Sequence, residues 1–155
     1  PIDEAVDLLA QAKSVLYLGR GLSAPVAKEG ALKLMELAYI PCLAYPAGEM
    51  KHGPMALLED GSPVVVVAPS DHLKEKTLLA IHECKARGAK IILIHEKGDA
   101  IAEEGDISIA IPKIHPWLTP LLTVLPLQLM AYRTAVRLGK DVDRPRNLAK
   151  SVTVE

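Results

Sequence analysis

The sequence predicts an α/β domain, a doubly wound parallel sheet of about five strands flanked by helices on both faces. Three observations carry this expectation. Runs such as Pro63-Val64-Val65-Val66-Val67-Ala68 and Lys90-Ile91-Ile92-Leu93-Ile94-His95 are continuously apolar and rich in β-branched residues, as strands covered on both faces are. Segments of helical period stand between such runs, the spacing of β-α-β units. Half of the 155 residues are apolar, yet only 3% are aromatic and none is Phe, so the core must be built from Leu, Val, Ile and Ala. That composition argues against an aromatic-rich β-sandwich. A chain of this length buries roughly 70% of its unfolded surface, enough for one domain. No internal repeat or low-complexity linker divides it, which predicts a core over 1–140 and an extended tail over 141–155.

In chain order, Ile2 to Lys13 has apolar residues at helical spacing and acids in its first turn, where they suit the helix dipole. Ser14 to Leu18 reads as a short strand ended by Gly19-Arg20-Gly21. Ser23 is placed to cap a helix from about Pro25 to Tyr39. Pro41 to Tyr45 reads as a second strand, and Gly48 to Leu58 as a short helical segment interrupted by Gly and Pro. After the Pro63–Ala68 strand, a helix from about His72 to Arg87 stops at Gly88, a C-terminal cap. Lys90–His95 and Ile107–Ile111 are the last strands, and a long helix covers about Leu118 to Leu138. The tail, Asp141 to Glu155, lacks helical periodicity, but it is richer in Val and Leu and poorer in Ser and Gly than a disordered end would be.

Composition also excludes classes of function. A formal net charge of −1 offers no bulk attraction to nucleic acid, and few aromatic rings are present for bases to stack on. The longest apolar stretch, Leu118 to Val136, contains Pro120, Pro126, Gln128 and Arg133 and makes a poor membrane span. Pro1-Ile2-Asp3-Glu4 is acidic, unlike a signal peptide. Cys42 and Cys84 lack paired spacing and sit among apolar residues, which favours buried free thiols of a cytoplasmic protein over a disulfide. The five histidines show no metal-binding spacing, so neither a metal nor a cofactor is expected.

Two constellations invite chemistry. Glu29, Lys33 and Glu36 fall at i, i+4 and i+7 of one predicted helix, in a narrow stripe apart from the apolar face of Gly30, Ala31, Leu34, Leu37 and Ala38. The stripe is either a solvated face joined by a Glu29–Lys33 pair, or a proton-moving carboxylate with a cation beside it, as sugar isomerisation requires. It follows the Gly19–Ser23 loop, where an α/β sheet binds its ligands. His52, in Gly48-Glu49-Met50-Lys51-His52-Gly53-Pro54, is either an exposed loop side chain or a general acid–base group titrating near neutrality. In the tail, Lys150 is a solvated lysine or a nucleophilic amine, and Arg146, four residues earlier, could supply the positive field that such an amine needs.

The segments EGALKLMELAYIPCLAYPAGEMKHGP and DVDRPRNLAKSVTVE resemble the glucosamine-6-phosphate synthase family, and the similarity runs from the Gly19-Arg20-Gly21 loop to Glu155. The resemblance implies the sugar isomerase (SIS) fold and corresponds to the second of the two SIS subdomains of that family's isomerase region. It implies that Glu36 shuttles the proton between C1 and C2 of the sugar and that Lys33 assists as a nearby cation. It further implies that His52 opens the sugar ring in the neighbouring subunit's site and that Lys150 forms an imine with the sugar carbonyl. Arg146 and Ala149 become part of the tail over the sugar, with Glu29 and Ser23 as further substrate-binding residues. The implied ligands are fructose 6-phosphate and glucosamine 6-phosphate.

Departures from the family pattern carry their own expectation, that this chain does not hydrolyse glutamine. No cysteine precedes Cys42, so the family's glutaminase nucleophile has no counterpart here, and the Ser/Thr-rich phosphate loop of the first SIS subdomain is absent. Gly19-Arg20-Gly21-Leu22-Ser23 offers one hydroxyl, one arginine and the amides of a helix start. The expected partners are a second copy of the chain, in a homodimer packed through spare apolar helix faces such as Leu118 to Leu138, or the missing glutaminase and first SIS portions. The alternative function is a non-catalytic phosphosugar-binding or dimerisation module.

Overall fold

A computed structural model describes residues 1–148. Its five strands are β1 (Val15–Gly19), β2 (Cys42–Pro46), β3 (Pro63–Ala68), β4 (Lys90–Glu96) and β5 (Ile107–Ile111). All neighbours are parallel and the order is β2-β1-β3-β4-β5. The helices are α1 (Ile2–Ala10), α2 (Ser23–Ala38), α3 (Lys74–Lys85) and α4 (Thr119–Arg137). The chain leaves β1 toward β2 on one side and returns to β3 on the other, so the topological switch point lies between β1 and β3.

Alternation along the strands divides the core into two layers. Val15, Tyr17, Val65, Val67, Ile92 and Ile94 face α1, α2 and α4. Leu16, Leu18, Val64, Val66, Ile91 and Leu93 face α3 and the short turns that carry Met50 and Ile101. The central strands β1 and β3 are buried along their whole length, as their unbroken apolar runs require. The edge strand β2 is only partly covered, and a proline stands at each of its ends, in Pro41 and Pro46.

Several boundaries differ from the sequence expectation. The first helix stops at Ala10, because Gln11 and Ala12 tighten the turn by donating to Leu8 and Leu9 carbonyls. Ser23 is the first residue of α2 and makes no capping hydrogen bond, since Leu22 occupies the cap position and Ser23 is buried. The third helix starts at Lys74, after a turn in which the Asp71 carboxylate accepts the Leu73 N–H at 2.7 Å. Gly48 to Leu58 forms two separate 3-10 turns, Met50–His52 and Pro54–Leu57, with Gly53 at φ 138 between them.

Helices α2 and α4 pack on one another over the same sheet face. They approach closely at Gly30, where an added Cβ would lie 2.7 Å from Leu127 Cδ1 and 3.0 Å from Leu127 Cβ. Leu127, Met130, Ala131 and Ala135 are fully buried along this seam. Gly30→Ala would gain about 1 kcal/mol of intrinsic helix preference. It would also drive a methyl into atoms close to the α4 backbone, at about 1–3 kcal/mol. Urea unfolding should therefore show Gly30→Ala to be less stable by up to about 2 kcal/mol; a variant more stable than the parent would contradict the close packing.

Candidate functional site

The stripe on α2 forms as its spacing suggests. Lys33 Nζ donates to Glu36 Oε2 at 2.6 Å and stands 3.8 Å from Glu29 Oε1. Both members of the tighter pair are about one-third exposed, 31% for Lys33 and 30% for Glu36. The hydrogen bond to Glu36 raises the Lys33 pKa above its ordinary value; partial desolvation opposes this, and the charges of Glu36 and Glu29 add to it. Lys33 is therefore an ammonium at neutral pH, fixed beside a carboxylate.

The position of the stripe differs from the expected one. Helix α2 is 16 residues long, so Glu36 lies roughly 20 Å along its axis from Ser23, at about 1.5 Å per residue. The carboxylate thus stands at the far end of α2 from the strand-to-helix loop. There it lines a cleft of about 480 Å³ with Leu32, Met35, Tyr39, Arg146 and Leu148. The cleft falls within the roughly 300–1,000 Å³ usual for small-ligand sites. Lys150 and Ala149 lie outside the described residues.

Tyr39 is a component that sequence reasoning missed. It closes α2 in a left-handed conformation, at φ 62 and ψ 26. Its hydroxyl accepts the backbone N–H of Arg146 at 2.9 Å, and the Arg146 guanidinium lies 4.3 Å from its ring centroid. The signal available in the sequence was a tyrosine immediately after Ala38, where a helix end more often has Gly.

The remaining predicted residues stand apart. His52 is 72% exposed on its 3-10 turn, and its nearest carboxylate is Glu49 at 3.9 Å. Within one chain this is the geometry of an exposed loop histidine. Ser23 lines a different cleft, of about 420 Å³, at the switch point with Gly21, Ser70, His72 and Trp117. Little of an anion cradle exists there. The Ser23 and Ala24 amides already donate to the Arg20 and Gly21 carbonyls, at 2.9 and 3.2 Å. Arg20 Nε is buried without a hydrogen-bond partner among the described residues.

Asp99 lines a neighbouring cleft with Lys74 and with Ser70, which also borders the switch-point cleft. Its carboxylate accepts hydrogen bonds from Ser70, from Lys74 and, at 3.0 Å, from the Ile101 N–H. Burial pushes this carboxyl up, but the three donors and the Lys74 charge outweigh it and hold the pKa at about 2, below its ordinary 3.8. A depressed carboxylate stabilises the fold above its unfolded pKa and loses that contribution as pH falls through the folded value. Stability of the parent should therefore drop more steeply between about pH 4 and pH 2 than that of Asp99→Asn, as read by urea midpoints across that range. Parallel pH profiles would contradict the assignment.

Comparison with known proteins gives a consistent picture. Residues 8–138 match the model of the SIS domain. The chain is 57% identical over 146 residues to a glutamine–fructose-6-phosphate aminotransferase (isomerizing) of Thermus thermophilus, covering 94% of this chain and 24% of that protein. It is 53% identical over 158 residues to the protein of that name from Zymomonas mobilis, covering 99% of this chain and 26% of the relative. The fold superposes on the C-terminal domain of glucosamine-fructose-6-phosphate aminotransferase from Francisella tularensis with a TM-score of 0.85 at 41% identity, covering 92% of this chain and 41% of that one. The chain spans about a quarter of the length of the curated relatives it matches. No helix among the described residues is long and apolar enough to cross a membrane.

Proposed function

This chain belongs to the SIS domain family, and on that premise we propose that it is the second sugar-isomerase half of an isomerising glutamine–fructose-6-phosphate aminotransferase. In this reading it works in the cytoplasm, binds fructose 6-phosphate and glucosamine 6-phosphate, and carries the ketose-to-aldose step. The observation that supports it most is the Lys33–Glu36 contact at a cleft that Arg146 also lines. The identities of 53–57% to isomerizing aminotransferases over nearly the whole chain support it independently.

In the proposed mechanism the sugar carbonyl condenses with the Lys150 amine, releasing water. Ammonia from glutamine, supplied by the rest of the aminotransferase, then adds to C2 and displaces the Lys150 amine, leaving the sugar as its C2 imine. The Glu36 carboxylate takes a proton from C1 and returns it to C2 while the C1 hydroxyl proton passes to the imine nitrogen, giving an aldehyde at C1 and an amine at C2. Lys33, already an ammonium, stabilises negative charge that develops on the sugar oxygen. Glu29 holds Lys33 from its other side, and Arg146 and Ala149 belong to the tail that closes over the sugar. His52, exposed in one chain, opens the ring in the site of a second subunit. Ser23 would meet a sugar phosphate only in the switch-point cleft.

In the full-length aminotransferase, Glu36→Gln should lower isomerisation by about 10²–10⁴-fold and leave glutamine hydrolysis intact. Retained isomerisation would overturn the assignment of Glu36.

A second reading, a dimerisation module, is favoured by α4. Its outer face exposes Leu121, Leu125, Leu129, Tyr132 and Val136, a stripe at helical spacing. Such a stripe on a surface helix suits packing against a second copy. Sedimentation equilibrium should give a dimer that Leu125→Glu shifts toward monomer. A monomeric parent at high concentration would contradict the assembly, and calorimetry showing no heat with millimolar fructose 6-phosphate would remove the ligand-binding role.

A further inference from the structure

We propose that Tyr39 is a positioning residue, the clasp that holds residues 141–148 against the cleft containing Glu36. The inference rests on the reading of that cleft as the sugar site, but its observations are separate. Tyr39 ends α2 at φ 62, a left-handed conformation that glycine adopts without penalty and a bulky residue seldom does. Outliers of this kind persist where the surroundings hold them, and they cluster at functional sites.

The surroundings here are the tail. Across 107 residues of sequence, the phenol oxygen accepts the Arg146 N–H at 2.9 Å. The Arg146 guanidinium lies 4.3 Å and the Lys140 ammonium 5.5 Å from the ring centroid, so two cations on the segment after α4 meet one aromatic ring. Neither Arg146 nor Lys140 has a carboxylate partner within ion-pair distance among the described residues.

The shape of the tail segment is set locally, and its placement is set by Val142 at its start and by Tyr39 at Arg146. The Asp141 carboxylate accepts the Asp143 and Arg144 amides at 3.0 and 3.2 Å, which folds the turn. Asn147 adds a second left-handed residue at φ 61. Val142 packs the start of that turn against the core shared by α1, α2 and α4. Tyr39 adds the contact farther along, at Arg146, and it stands three residues beyond Glu36 on the same helix end and lines the same cleft. The clasp therefore ties the start of the segment leading to Lys150 to the carboxylate that Lys150 would work with.

The test compares this chain with Tyr39→Phe, which keeps the ring and removes the acceptor, and Tyr39→Leu, which removes both. In the parent, the Arg146 amide should exchange slowly with solvent and its side-chain protons should carry upfield ring-current shifts. In Tyr39→Phe the amide should exchange at least about tenfold faster while the ring-current shifts remain. In Tyr39→Leu both signatures should vanish while the Leu34 amide, in the middle of α2, keeps its protection. In the aminotransferase, Tyr39→Leu should lower the isomerisation kcat by about tenfold or more, and by a larger factor than it raises KM, because the lysine is displaced from the reacting atoms while the contacts from α2 remain.

Equal Arg146 exchange in parent and Tyr39→Phe would overturn the clasp, and an unchanged kcat would overturn its positioning role. Should Tyr39→Leu fail to fold, Tyr39→Phe decides both questions by exchange and kcat. Isomerisation that survives removal of the Glu36 carboxylate would instead overturn the sugar-site reading and leave the exchange result to judge the clasp.

Discussion

The close approach of α2 and α4 at Gly30 and Leu127 is the constraint on which the candidate site depends. One helix carries Glu29, Lys33, Glu36 and, at its end, Tyr39. The other delivers the chain, through Lys140, to Arg146. Because no side chain stands at position 30, α4 can lie against α2 with Leu127 and Met130 fully buried. Dense packing of this kind transmits position, since a shift of either helix must be taken up by its neighbours. The ion pairs of α4 with α1, Arg133–Asp3 at 2.6 Å and Arg137–Asp7, are solvent-exposed, and such pairs contribute about 0–1 kcal/mol each. Burial along the seam is the larger effect.

The two ends of α2 serve different surroundings. Its start meets the switch-point loops, where the first helical amides are consumed by the turn and the cleft is walled partly by Trp117. Its end presents the only carboxylate–ammonium pair of the stripe at hydrogen-bonding distance, beside an aromatic ring and an arginine from the tail. An ammonium already held by one carboxylate and attracted by a second stays protonated at neutral pH. That suits a role in stabilising negative charge and is unsuited to accepting a proton. In the proposed reaction the base at this end of the helix would therefore be the Glu36 carboxylate.

The fold was legible because buried parallel strands are apolar on both faces and leave little ambiguity. Val64 to Val67 and Ile91 to Ile94 announce themselves, and Gly88, at φ 78, ends the region of α3 as a left-handed turn should. The Glu29–Lys33–Glu36 stripe was legible for a similar reason, since helical spacing fixes which side chains meet. Distance along the helix was harder to read. Following the Gly19–Ser23 loop in sequence suggested nearness to it, whereas a 16-residue helix carries Glu36 well away. Tyr39 was not legible as a contact because its partner lies 107 residues later, and local pattern carries no information on such a pairing. The capping assigned to Ser23 failed because the helix begins one residue earlier, with Leu22 at the cap and the Ser23 side chain buried.

The claim that joins these observations is that the end of α2 and the C-terminal tail make one sugar site. Borohydride reduction in the presence of fructose 6-phosphate, followed by peptide mass spectrometry, tests it most directly. A hexose-phosphate adduct confined to Lys150 is the predicted result, because only an amine held at the cleft would form the imine selectively. Adducts scattered over surface lysines, or no adduct in an aminotransferase active in isomerisation, would contradict it.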